Sequence, residues 1–163
     1  MKGLRKNSGF TLIEALIVII VLGILAFAVR LKWSESTAYL DQQALIFASD
    51  LRYTQNLSMS KNERYRLEIL SANSYRILDN NGNPQTIPPN RGDPVTKVVT
   101  LEHNITFKQV TGITDTIIFD GIGVPYKTAP IEKLAVDVVI TLENQDGATR
   151  DVSISKITGK VST

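Results

Sequence analysis

Glu14 is the single ionisable side chain between Phe10 and Val29, in a run otherwise made of Leu, Ile, Val, Ala, Phe, one Gly and one Thr. A carboxylate in a membrane-length apolar helix costs up to ~3 kcal/mol, less near the interface, and such a charge usually has a partner. No lysine or arginine lies in the run. Three readings account for the acid. In the first, "TLIE" is a capping box: Thr11 caps the helix, and Glu14 reaches back to a free backbone amide. In the second, the run is a cleaved secretory signal, with "AFA" at Ala26 to Ala28 as a small-x-small cleavage site, although its length and its acid are unlike such signals. In the third, the chain is cut between Gly9 and Phe10. Phe10 then carries a new α-amine, cationic at normal pH. That amine lies one helical turn from Glu14 in its own chain, or meets it from a staggered neighbour, so that Glu14 sets register as one buried polar residue does in a coiled coil.

The other chemistry-bearing residues form no set. There is no cysteine and one histidine, His103, which excludes thiolate and multi-histidine metal sites. Serines and carboxylates are plentiful, but without a second histidine or a glycine-rich phosphate loop they make no catalytic constellation. "DNNGN" sets Asp79, Asn81 and Asn83 at alternate positions, as in the first part of a calcium loop, but Pro84 stands where that loop needs glycine, so it reads as a turn. "RGD" at Arg91 to Asp93 lies among prolines and reads as a turn, "NIT" at Asn104 is given no role, and His103 reads as a surface or turn residue. The net charge of +2 is scattered, without a basic stripe for phosphates. Neither an enzyme, nor a metal, nor a cofactor, nor nucleic acid binding is expected.

The elements that position these residues follow from periodicity. Lys2, Arg5 and Lys6 precede the apolar run and keep that end in the cytoplasm. Residues 10–29 cover about 30 Å as a helix, one hydrocarbon thickness. Beyond Trp33, Leu40, Ala44, Phe47, Leu51, Thr54 and Met59 continue at spacings of three to five to near Ser60, with Asp41, Gln42, Gln43, Asp50, Arg52 and Gln55 read as the polar face. One helix is therefore expected from about Phe10 to Ser60. After Asn62 the period becomes two, and strands are expected at Tyr65 to Leu70, Ser74 to Leu78, Thr96 to Leu101, Ile105 to Val110, Asp115 to Phe119, Ala135 to Leu142 and Thr149 to Ile157. With 163 residues, one modest domain and one apolar segment account for the chain.

The stretch "KNSGFTLIEALIVIIVLGILA", Lys6 to Ala26, resembles the leader and transmembrane segment of type IV prepilins and type II secretion pseudopilins. The resemblance implies an α+β, pilin-like fold with a long N-terminal helix, its first half transmembrane, packed on an antiparallel β-sheet domain. It implies a basic leader over residues 1–9, a transmembrane helix over 10–29, its amphipathic extension over 30–62 and a periplasmic β domain over 63–163. A prepilin peptidase would cleave after Gly9 and N-methylate Phe10, and Glu14 would pair with the Phe10 amine during assembly. "LIFASDLRYTQNLSMSKNERYRLEI", "FDGIGVPY" and "RDVSISKITGKVST" resemble minor pseudopilins of the H type (general secretion pathway protein H) and related minor pilins. Some such members in competence pili bind DNA through arginines near the C-terminus, but no arginine follows Arg150 here.

The expected protein is thus a minor pseudopilin that initiates or tips a type II secretion pseudopilus, or else a minor pilin of a type IV pilus. Its partners would be other pilins or pseudopilins, the prepilin peptidase, the inner-membrane assembly platform and inner-membrane lipid. It would sit in the bacterial inner membrane as a single span and then in a periplasmic filament. Two rivals stand beside this: a membrane-anchored periplasmic binding module, and a soluble secreted protein, possibly a hydrolase, released at Ala28.

Overall fold

The computed structural model describes the backbone of residues 11–127 and 131–163, and the side chains of all of these except 28–34. The chain forms two units, Met1–Glu35 and Ser36–Thr163. Helix α1 runs Leu12–Lys61. Its expected start at Phe10 lies outside the described residues.

In the second unit Leu40, Ala44, Phe47, Ala48 and Leu51 are no more than 2% exposed, as their three-to-four spacing requires of a stripe facing a core. Thr54 and Ser58 extend the stripe, fully buried but polar. Both are satisfied locally: the Thr54 hydroxyl donates to the Asp50 carbonyl at 2.8 Å and the Ser58 hydroxyl to the Thr54 carbonyl at 3.1 Å. Ser58 Oγ also accepts the Tyr65 backbone N–H, which ties the helix end to the first strand. Asn62, at φ +52°, ends the helix in the left-handed region.

Three helix positions depart from the periodic reading. Gln43 and Asp50, assigned to the polar face, are buried, and Met59, assigned to the apolar stripe, is half exposed. The physical reason is that Gln43, Phe47, Asp50 and Thr54 themselves fall at three-to-four spacing, so polarity and position disagree there and position prevails.

Ten strands follow among the described residues: β1 Tyr65–Ser71, β2 Ser74–Leu78, β3 Val99–Thr100, β4 Thr106–Thr111, β5 Thr116–Phe119, β6 Pro125–Lys127, β7 Glu132–Lys133, β8 Val138–Glu143, β9 Thr149–Ile154 and β10 Val161–Ser162. They form two antiparallel sheets, one ordered β3-β2-β1-β5-β6-β7 and one β10-β9-β8-β4. Cross-strand register places Leu67, Ile77 and Ile117 in one row and Ile140 opposite Val152, and all of these are buried. The Phe47 ring joins both sheets to the helix, edge-on to Tyr75 of β2 at 5.1 Å and to Phe107 of β4 at 5.2 Å.

Three expected strands are shorter by two residues or more than their alternation suggests. Thr96 to Val98 stay out of β3 because the Asp93 carboxylate takes the N–H groups of Val95 and Thr96, and Lys97 turns through φ +57°. Ala135 to Asp137 stay out of β8: the Ala135 carbonyl accepts Lys156 Nζ, and the Asp137 carboxylate accepts the Lys156 N–H. The same contacts end β9 before Ser155. Strands β6, β7 and β10 are too short for alternation to register.

Candidate functional site

The N-terminal site begins where the helix does. Thr11 precedes Leu12 as the cap, and the Glu14 N–H reaches its hydroxyl at 3.3 Å and its carbonyl at 3.1 Å. The Thr11 hydroxyl in turn points to the Glu14 carboxylate at 3.5 Å, a weak contact. The capping geometry of Thr11 is therefore present, with the carboxylate of Glu14 still open to a stronger partner. Gly9 and Phe10, and with them the cleavage, methylation and ion-pair assignments, lie outside the described residues.

On both sides of Glu14, every large apolar side chain from Leu12 to Phe27 is at least 47% exposed. Side chains apolar on all faces of one helix cannot remain in water, so this surface requires lipid or other apolar helices around it. Among the described residues no helix is long and apolar enough to cross a membrane. The expected span, 10–29, has its ends at Phe10, Ala28 and Val29, whose side chains are outside that set.

In the second unit the strongest electrostatic site is one that sequence reasoning missed. Asp50, with a side chain 1% exposed, accepts the Tyr75 hydroxyl at 2.6 Å and is ion-paired with Arg91. Helix α1, strand β2 and the loop after β2 meet at this carboxylate. Burial raises the Asp50 pKa above its ordinary value, against the opposing pull of the Tyr75 hydroxyl and the Arg91 guanidinium. Burial, then the Asp50 charge, push the Tyr75 phenol far above its usual range, so it stays a donor.

This cluster also explains the "RGD" triplet. Arg91 is committed to Asp50, and Asp93 is committed to its own turn through Val95 and Thr96. Gly92 between them has φ +92°, and a Cβ there would stand 2.8 Å from the Val98 carbonyl oxygen, so only glycine fits. "DNNGN" is likewise a turn. The Asp79 carboxylate accepts the N–H groups of Asn81 and Asn83 and the Asn83 side-chain amide, which hold its pKa below the usual range. Among the described residues no cluster of three or more His, Asp or Glu side chains is placed to hold a metal ion. His103 stacks on Tyr39 with ring centroids 3.8 Å apart, and Asn104 reaches Gln145; both sit in left-handed turn conformations.

Beside Arg91 a cleft of about 440 Å³ opens between α1 and β3, lined by Gln42, Gln43, Ile46, Gly92, Thr100 and Glu102 among others. Gln43 is 7% exposed.

The geometry can be set beside known proteins. Residues 4–29 match the family described as the prokaryotic N-terminal methylation motif. The fold is similar to that of the type IV minor pilin FimU of Pseudomonas aeruginosa, at 14% identity and TM-score 0.53, over 80% of this chain and 90% of that one. It is similar as well to the minor pseudopilin EpsH of the Vibrio cholerae type 2 secretion system, at 10% identity and TM-score 0.52, over 76% of this chain and 94% of that one. A sequence comparison with curated proteins finds no match. The N-terminal residues thus carry the methylation motif, and the domain that follows has a fold similar to those of a minor pilin and a minor pseudopilin. The α+β, pilin-like fold expected from the residues is the fold observed, and FimU and EpsH stand equally near it.

Proposed function

We propose that this chain is a minor subunit of a filament built on the inner membrane. In the first reading it is a minor pseudopilin that helps initiate or tip a type II secretion pseudopilus, which drives protein export. The observation that carries the proposal is the coincidence of "SGFTLIE", with its lone Glu14 inside an apolar helix, and a minor pilin fold on the same chain. The leader over residues 1–9 is removed, Phe10 is methylated, and residues 10–29 hold the subunit in the membrane with the domain of 63–163 in the periplasm. The role is structural rather than enzymatic: its partners are other pilin-like subunits, the processing peptidase and the assembly platform.

Intact mass of the chain recovered from its native membrane tests the processing. The expected mass lacks residues 1–9 and gains one methyl group. A mass that retains the leader, or one lacking residues 1–28, overturns it.

A second reading, a minor pilin of a type IV pilus acting in assembly priming, adhesion or DNA uptake, is favoured by the likeness to FimU. Deleting the gene separates them. Loss of exported protein into the medium with surface pili intact supports the first reading, and loss of pili with export intact supports the second.

A further inference from the structure

The cleft beside Arg91 carries an inference that goes beyond the filament reading and stands without it. Gln43 projects from the core-facing side of α1 and is nine-tenths buried, yet its amide makes no hydrogen bond among the described residues. Every fully enclosed polar side-chain atom among the described residues has a partner, so the Gln43 amide must open onto the cleft it lines. Gln42 beside it is exposed and lines the same cleft.

The opposite wall is the edge strand of the six-stranded sheet. Leu101 donates its N–H to the Asn73 carbonyl at 2.7 Å, and Val99 pairs with Tyr75. Alternation along an antiparallel strand then turns the N–H and C=O of Thr100 to the free side of the edge, and Thr100 is itself a lining residue of the cleft. One end of this edge is closed, because the Val98 carbonyl accepts the Asp93 N–H.

The groups on offer are thus a main-chain donor and acceptor at a sheet edge, two side-chain amides that each donate and accept, and the apolar flank of Ile46. The one cation, Arg91, is neutralised by Asp50, and Glu102 adds negative charge, so an anion is not the complement. A chain of alternating neutral N–H and C=O groups is. We propose that the cleft between Gln42 to Ile46 of α1 and β3 receives an extended polypeptide segment of another chain, which adds to the sheet edge at Thr100 and satisfies the amide of Gln43.

The test selects short random displayed peptides on the full-length chain in detergent micelles, with empty micelles as the control. The expected result is a peptide family enriched on the chain that slows hydrogen exchange at the Thr100 N–H. Its binding falls about tenfold or more with Gln43→Leu, the size of one or two good hydrogen bonds at a desolvated site. Leucine suits the buried position, so this variant keeps its fold, checked by an unchanged melting temperature. Thr100→Pro, which removes the edge N–H where proline is tolerated, is expected to weaken binding similarly. No enrichment over empty micelles, enriched peptides that bind Gln43→Leu as they bind the parent chain, or binding that leaves Thr100 exchange unchanged each overturns the proposal.

Discussion

Replacing Glu14 by leucine is expected to leave the chain in the membrane and remove it from the filament. The two effects have opposite signs for one physical reason. In the monomer the carboxylate is a cost of up to ~3 kcal/mol, so leucine partitions at least as well into lipid. In the assembly we propose, the carboxylate would face the cationic Phe10 amine, and removing one member of a desolvated charge pair costs about 2–5 kcal/mol, roughly 30-fold to several thousand-fold in association. Subunit incorporation, measured by the fraction of this chain sedimenting with sheared filaments in the native host, should fall by that factor while total membrane-bound chain holds steady or rises.

Glutamine at the same position separates assembly from helix capping. Glutamine serves a capping box as glutamate does, so a capping role predicts that Glu14→Gln behaves as the parent chain. A charge-pair role predicts that it fails nearly as badly as leucine. Thr11→Val is the complementary variant: it deletes the hydroxyl that the Glu14 N–H meets at 3.3 Å and should cost only about 1 kcal/mol. Normal incorporation of Glu14→Gln would remove the ion pair from the account.

The helix and its register partners were legible because their signals are long and redundant. Leu40, Ala44, Phe47 and Leu51 repeat one spacing over several turns, and the Tyr65 to Leu78 hairpin alternates cleanly in both arms. What escaped was of two kinds. Short strands such as Pro125–Lys127 and Val161–Ser162 carry too few residues for any period, and the expected strand at Thr96 to Leu101 shrinks to Val99–Thr100 because the Asp93 carboxylate captures the N–H groups of Val95 and Thr96. Buried polar residues escaped because type and position gave opposite answers at Gln43 and Asp50. The positional evidence was available, since Asp50 lies three residues after Phe47 and four before Thr54, but its partners Tyr75 and Arg91 are distant in sequence and only the fold brings them there. The N-terminal motif was legible for a further reason: one acid in an apolar run is an anomaly that needs no tertiary structure to be noticed.

The Asp50 cluster makes the second large prediction, for Arg91→Ala. Removing the guanidinium leaves a carboxylate of 1% exposure with only the Tyr75 hydroxyl, and an uncompensated buried charge costs about 3–5 kcal/mol at neutral pH. Arg91 is itself about a quarter exposed, which places the effect at the lower end of that range. A domain of this size has ~5–15 kcal/mol of total stability, so a melting-temperature loss on the order of 10 °C is expected. The loss should depend on pH in a defined direction. Burial already raises the Asp50 pKa in the folded parent chain, and without Arg91 it rises further. A raised carboxylate pKa means that the folded state holds its proton more tightly than the unfolded state. The stability from that proton is fully present below about pH 4, the ordinary carboxylate value, and is lost as pH climbs through the raised folded value. Arg91→Ala should therefore lie closest to the parent chain near pH 4 and furthest from it near pH 7, in thermal melts followed by near-ultraviolet circular dichroism of the buried Tyr75. Adding Asp50→Asn should remove most of that pH dependence, because the amide still accepts the Tyr75 hydroxyl but carries no titrating proton. A deficit in Arg91→Ala that is equal at both pH values would show that the arginine acts by packing the loop and not by neutralising Asp50.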